Sequence, residues 1–415
     1  MHHTHFLVRE PLLDPQQRVV GYELCWQQPQ PHDSTTPLAA AALTSSASAL
    51  ESLLAFVAGQ VVGGDDGQRW LLRDKLLFLE AVPAMLAAEA LQRLPPAYCV
   101  LSLPAASLAE PATLQAVQAL RAGGLGILLR HTARAPAGLK LDTLASYVEV
   151  RFSGSNVATQ ARAYATLKQS GLAMVARPVS NWADFDACAT LGLNAFVGKL
   201  HLTPRPSTSA KGINPAQAII LQLMQMVKQN ADIVQLEAVL KRDPALSYKL
   251  LRYINSAGFG AGREVQSMRQ ALTLLGYAPL DRWLTLLLAT ASTSGYSPVL
   301  LETAVVRGRL AELLAQDVLG KNDAEQVFVA GMFSLLDRLL GVSMEEVLGN
   351  IGLPDEVIAA LLTRSGRYGP YLALAEACEL NSDLVAGLAM SLKLSPEQIN
   401  RAHLSALAWA QHVAV

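Results

Sequence analysis

The sequence predicts an α/β plus all-α protein: a closed α/β barrel in the first half and an all-helical bundle in the second. Three observations carry this. Up to residue 202, short β-type runs alternate with stretches whose apolar residues recur at helical spacing. Beyond residue 213 the apolar periodicity is helical and punctuated by capping residues. Between the two lies Thr203–Gly212, TPRPSTSAKG, rich in Pro, Ser and Thr with no apolar period, which is the composition of a linker. Domains are therefore expected at 1–202 and 214–415, joined by 203–213; a chain of 415 residues can build two cores of that size.

The expected strands are Phe6–Arg9, Val19–Trp26, Leu76–Leu79, Cys99–Leu103, Gly126–Arg130, Tyr147–Phe152, Ala173–Arg177 and Ala195–Val197. Pro83–Arg93, Leu108–Ala122 and Ala158–Gly171 read as helices between them. Strands separated by helices pair in parallel through crossovers, and about eight such units close into a barrel. The first part of Gln27–Thr44 reads as a loop and Gly63–Gln68 as a polar turn. In the second half, Asp243-Pro244 sets a capping acceptor before a proline at the first helical position. Leu246, Leu250 and Ile254 then share one face of a helix that ends near Asn255–Gly258. Ser267 is expected to cap Met268–Leu275, with Gly276 as the stop, and Ser343-x-x-Glu346 and Ser395-Pro396-Glu397-Gln398 are capping-box patterns.

Composition excludes several classes. Lys and Arg number 33 against 34 for Asp and Glu, so no global field draws in nucleic acid, and none is expected as a partner. The four cysteines, Cys25, Cys99, Cys188 and Cys378, have neither zinc-site nor disulfide-framework spacing, which points to a reducing cytoplasm. The opening residues lack the charged and apolar regions of a signal peptide. The apolar run Trp283–Ala291 is far short of the roughly 20 residues that span a bilayer, so it reads as a buried helix and no membrane association is expected. The early histidines read as a frayed terminus in preference to metal ligands. Gly258-Phe-Gly-Ala-Gly262 follows a helix and lacks the lysine of a phosphate loop, so it reads as a turn. Met224 and Met226 read as core.

Two stretches resemble known families. The opening, FLVREPLLDPQQRVVGYELCW from Phe6 to Trp26, is similar to the first two strands of EAL domains, with Glu23 at the position of the glutamate that names the motif. Leu236–Gly260, LEAVLKRDPALSYKLLRYINSAGFG, resembles the core of HDOD domains, and Ser267–Gly276 continues the likeness. The first resemblance implies a modified (β/α)8 barrel, which in active members hydrolyses cyclic di-GMP with divalent metal held by carboxylates at the C-terminal strand ends. The second implies a helical module related to HD phosphohydrolases without their metal ligands, serving regulation or protein binding.

Metal-assisted hydrolysis needs several hard oxygen ligands converging on one place. Set against the EAL pattern, Glu23 is present, but the motif's arginine is Gln27, Leu79 stands near a liganding asparagine with the register open by one residue, and Ser102 replaces a glutamate. Arg130-His131 fall on paired aspartates, Glu149 and Arg151 on a lysine and an aspartate, and Val197 on a glutamine; both glutamates of the stretch Val175–Ser180, which carries Arg177, are gone. One guanidinium at about 4 Å from a unit charge costs about 4 kcal/mol at an effective dielectric near 20, so these arginines would repel a divalent ion. In the helical half, Ser334 and Leu335 take the place of the His-Asp pair, and His403 and His412 are its histidines. The chain is therefore expected not to be an enzyme, with no cofactor and no metal.

The function expected is that of a catalytically inactive signalling protein, in cyclic di-GMP-related or motility control, acting through protein contact by the HDOD module. Homodimerisation is allowed for, because EAL barrels often self-associate. The rival reading is an anion pocket at the barrel mouth, formed by Arg130, His131, Arg151 and Arg177, holding cyclic di-GMP or another anion without hydrolysis. Against it, Glu23 and Glu149 would neutralise the arginines internally, and Glu23 is expected to pair with Arg130 or Arg177 as a relic of the EAL motif. On balance cyclic di-GMP is not expected to bind. A residual phosphodiesterase is the third reading.

Overall fold

A computed structural model of the chain describes residues 5–27, 47–60, 62–63, 69–151, 157–198, 200, 215–240, 246, 249–250, 253–254, 265, 267–290, 298–340, 343–350 and 353–413. The expected linker 203–213, the Asp243-Pro244 cap, the turns at Asn255–Gly258 and Gly258–Gly262, most of Gln27–Thr44 and of Gly63–Gln68, and His2 and His3 lie outside the described residues.

The barrel strands are β1 (Leu7–Leu13), β2 (Val19–Trp26), β5 (Leu76–Glu80), β6 (Cys99–Pro104), β7 (Gly126–Arg130), β8 (Tyr147–Val150), β9 (Ala173–Ala176) and β10 (Ala195–Val197); β3 (Val62–Gly63) and β4 (Arg69–Trp70) form a separate two-stranded ribbon. The barrel closes in the order β1-β10-β9-β8-β7-β6-β5-β2. All eight expected strands take part, and the sequence reading of parallel pairing fails at one of them: β1 is antiparallel to both β2 and β10. The cause is local. Only Asp14–Arg18 separates β1 from β2, too few residues for a crossover. Asp14 Oδ1 accepts from the Gln16 and Arg18 amides at 2.8 and 2.9 Å, and Gln17 takes a left-handed φ of 63°, which closes a hairpin.

Outside the strands, Pro83–Arg93 is a 3₁₀ turn, Pro83–Ala87, followed by the short helix Glu89–Gln92, and not one helix. Pro111–Ala122 and Val157–Gln169 are helices, as the periodicity requires. Inside the barrel, Leu12, Phe78, Val100, Leu128, Val175, Ala195 and Val197 form one buried cluster. The interior is thus a packed core, and alternation along each strand fixes which residues point inward above it.

The chain divides into two compact units: Met1–Arg205 with Ser297–Val299 and Glu376–Gln411, and Pro206–Tyr296 with Leu300–Ala375 and His412–Val415. The expected 1–202 and 214–415 division therefore differs at the C-terminus, where Glu376–Gln411 groups with the barrel.

The second unit is helical where described. It contains Pro215–Lys228, Ile233–Leu240, Met268–Leu275 and Tyr277–Thr290, then Pro298–Leu319, Lys321–Phe333, Leu336–Leu340, Met344–Asn350 and Asp355–Thr363. Ser267 caps its helix by accepting from the Gln270 amide at 3.2 Å, and Gly276 ends it at φ 72°. Ser343 accepts from the Glu346 amide at 3.2 Å. The Trp283 run is buried helix, with Trp283, Leu284, Leu287 and Leu288 in the core. Met224 is buried and Met226 half-buried. Pro298–Leu319 and Lys321–Phe333 cross at Gly308 and Gly331, where a Cβ on Gly331 would stand 2.5 Å from the Gly308 Cα. Among the described residues no helix is long and apolar enough to cross a membrane.

Candidate functional site at the barrel mouth

Parallel barrels carry their sites at the C-terminal ends of the strands. In this barrel a polar layer lies there, set by the two-residue period above the apolar cluster. Glu80 stands two residues after Phe78, Ser102 two after Val100, Arg130 two after Leu128, Glu149 two after Tyr147 and Arg177 two after Val175. On the reversed strand Glu10 stands two residues from Leu12, and it pairs in register with Glu23. Glu23 in turn registers with Phe78 on β5, so it shares the inward face.

Both arginines of this layer are paired with acids. Glu23 and Arg177 form an ion pair, with Glu23 the more buried partner. Burial pushes the Arg177 guanidinium below its ordinary range, while the Glu10 carboxylate acts in the opposite sense. Arg130 Nη2 donates to Glu80 Oε1 at 2.7 Å. Arg151 Nε lies 3.9 Å from Glu149 Oε1, but its side chain is 70% exposed. His131 is exposed on a left-handed turn, φ 54°. Ser102 is fully buried, and its hydroxyl has no hydrogen-bond partner among the described residues.

Of the residues in the rival pocket, Arg130, Arg151 and Arg177 each face a carboxylate, Arg151 is turned to solvent and His131 lies on the rim. Glu23 is not the only acid of the inward layer. The inward layer holds Glu10, Glu23, Glu80 and Glu149 against Arg130 and Arg177, a formal balance of −2. Glu80 was missed because Leu79 was set near the site position; Leu79 is 2% exposed and faces away from the barrel interior, while Glu80 faces in. The parity of Phe78 is the signal that finds it.

The divalent metal implied by the EAL resemblance does not fit this donor set as arranged. Glu23 and Glu80 are each held by an arginine, and Arg151 lies 3.9 Å from Glu149. Among the described residues no group of three or more His, Cys, Asp or Glu side chains is placed to hold a metal.

In the helical unit, Ser334 is buried. Arg307 Nη1 donates to its Oγ at 2.8 Å, and that Oγ donates to the Gly331 carbonyl at 2.6 Å. Leu335 is in the core. His403 belongs to the other unit, where Arg9 Nη1 lies 2.9 Å from its Nε2. The side chain of His412 lies outside the described residues.

Residues 213–347 match the HDOD domain family. Two relatives share sequence with the chain. The protein named cyclic di-GMP phosphodiesterase CdgJ, from Vibrio cholerae, is 31% identical over 242 residues, 58% of this chain and 56% of CdgJ. The uncharacterized protein YuxH of Bacillus subtilis is 28% identical over 247 residues, 59% of this chain and 60% of YuxH. The match thus spans less than two thirds of either relative. Similar solved structures include the PaMucR phosphodiesterase in complex with c-di-GMP, at 22% identity and TM-score 0.35, covering 48% of this chain and 92% of that one. Another is Klebsiella pneumoniae BlrP1 with manganese and the same dinucleotide, at 16% identity and TM-score 0.36, covering 48% and 56%. The expectation that the chain is not an enzyme is overturned by the relationship to CdgJ, a protein named for phosphodiesterase activity. The chain carries an HDOD domain at residues 213–347, preceded by a closed eight-stranded barrel whose opening strands resemble those of EAL domains.

Proposed function

We propose that the chain works in cyclic di-GMP signalling, with the barrel mouth addressing the dinucleotide and the HDOD domain contacting a protein partner. The observation that carries this reading is the shared sequence with CdgJ over 242 residues, together with the HDOD match. The paired Glu and Arg side chains at the strand ends support it chemically. A cyclic dinucleotide presents two phosphates and guanine edges, and a phosphate can displace a carboxylate from a guanidinium because both take the same bidentate geometry. Arg130 and Arg177 would then exchange Glu80 and Glu23 for phosphate. The protein-contact half of the reading rests on the HDOD match.

The test uses the full chain with cyclic di-GMP, with and without Mg²⁺ or Mn²⁺, following heat by calorimetry and linear product by chromatography. Saturable heat that falls at least tenfold in affinity in Arg177→Ala supports the reading, whether or not product forms. Neither heat nor product at high protein concentration removes the dinucleotide from it. For the HDOD half, capture of a protein from host extract by the full chain, lost when surface residues of 215–347 are changed, is the supporting result.

A further inference from the structure

The barrel has a seam. β1 pairs with β2 along its whole length, but with β10 only at Leu12 and Leu13. From Leu7 to Pro11 its other edge has no strand beside it among the described residues. The direction of the open groups follows from the pairing. The Phe6 carbonyl accepts from the Gln27 amide on the β2 side at 2.7 Å, so the backbone groups of His5 and Leu7 point to the opposite, unpaired side. An unpaired edge of this kind is costly when buried and a template for foreign strands when exposed.

The C-terminal helix Pro396–Val413 meets this edge. Asn400 is fully buried; its Oδ1 accepts from the Leu7 amide at 2.8 Å and its Nδ2 donates to the His5 carbonyl at 2.9 Å. One side-chain amide thereby supplies the donor and acceptor that a neighbouring strand residue would supply. One helical turn on, His403 is 1% exposed, and Arg9 Nη1 donates to its Nε2 at 2.9 Å. The other Arg9 nitrogen, Nη2, is 3.8 Å from Glu379 Oε2, on the helix Gly369–Leu380. A further bond runs from Gln27 Nε2 to the Ser382 carbonyl at 2.6 Å. All these bonds fall at the mouth end of the β1–β2 hairpin, the hairpin that carries Glu10 and Glu23.

We propose that Glu376–Gln411 is a latch that completes the barrel: Asn400 serves as the missing strand contact of β1, and the segment fixes the hairpin that positions Glu10 and Glu23. The latch is reached only after the chain has passed through Pro206–Tyr296 and Leu300–Ala375, so the barrel is finished by residues that follow the HDOD domain in sequence. Asn400 is a positioning residue here and touches none of the mouth charges itself.

The experiment is native-state hydrogen exchange on the full chain, read at low denaturant by mass spectrometry. In the unmodified protein, the amides of β1 and of Pro396–Val413 should open together, with one free energy and one denaturant dependence, as a cooperative unit does. In Asn400→Ala the amides of Leu7–Glu10 should exchange about tenfold faster, while Lys321–Phe333 is unchanged. Arg401→Ala is the control; that residue is exposed and pairs with Glu397. The proposal is overturned if the C-terminal helix opens with the helices of the second unit while β1 stays closed, or if Asn400→Ala changes β1 no more than Arg401→Ala does. Should Asn400→Ala fail to fold, the unmodified protein alone still separates the outcomes.

Discussion

Replacing Gly331 by alanine sets two known effects against each other. Alanine favours a helix interior over glycine by about 1 kcal/mol. At this crossing, however, the added Cβ would lie 2.5 Å from the Gly308 Cα, 2.9 Å from the Gly308 nitrogen and 3.0 Å from the Arg307 carbonyl. These are backbone atoms with no rotamer to change, so the two helices must part. Phe328, Met332 and Val327 pack along the same face, and the Arg307 to Ser334 hydrogen bond lies one residue from Gly308 on one helix and three beyond Gly331 on the other. Overpacking of this kind costs about 1–3 kcal/mol beyond any propensity gain. At about 2–4 °C per kcal/mol for a unit of this size, Tm should fall by several degrees. Urea unfolding, followed by exchange in peptides of Lys321–Phe333, isolates the unit concerned. Gly387→Ala is the matched control: it is helical, nothing lies within 4 Å of its would-be Cβ, and it should stabilise by up to about 1 kcal/mol. Equal or greater stability of Gly331→Ala than of the unmodified protein would refute the reasoning.

Three further outcomes are expected. Arg177→Met leaves the buried Glu23 facing Glu10 in register without its cation, and should cost about 1–3 kcal/mol in urea unfolding, the half-open site screening part of the loss; adding Glu23→Gln should recover part of it. Burial holds His403 neutral, down to about 3, and the Arg9 guanidinium acts the same way, while Glu379 opposes. The unfolded chain takes up this proton near pH 6.5 and the folded chain only near 3, so stability is full above about 6.5 and falls on acidification by at most about 1.4 kcal/mol per pH unit; His403→Gln should flatten that slope in unfolding curves at pH 7, 6 and 5. Burial pushes the Cys99 and Cys378 thiols up to about 12 and Cys188 up to about 11, so a thiol reagent at pH 8 should modify half-exposed Cys25 first and the other three only on unfolding.

The barrel was legible because strand signals are local. Runs such as Gly126–Arg130 and Ala195–Val197 carry their β character in their own residues, and both match to the residue. The reversal of β1 was legible in principle, since Asp14–Arg18 is a hairpin turn and not a crossover. Side-chain charge at the mouth was harder, because one residue of register decides between Leu79 and Glu80. The least legible feature was the destination of the last helices. Their apolar period shows that one face is buried and not which surface buries it. A hint was present: Asn400 and His403 lie on the face of Ile399, Leu404 and Leu407, and buried polar side chains require partners that the helix alone does not supply.

The reversal of β1 has a practical consequence. Among the barrel strands it alone begins at the rim where the other seven end, since Leu7 stands beside Trp26. Residue 5 therefore lies at the rim that carries the mouth charges, whereas in an all-parallel barrel the first strand would begin at the opposite end. An affinity tag or a fused partner ahead of residue 5 would be tethered within a few residues of Glu23, where it competes with whatever approaches the opening.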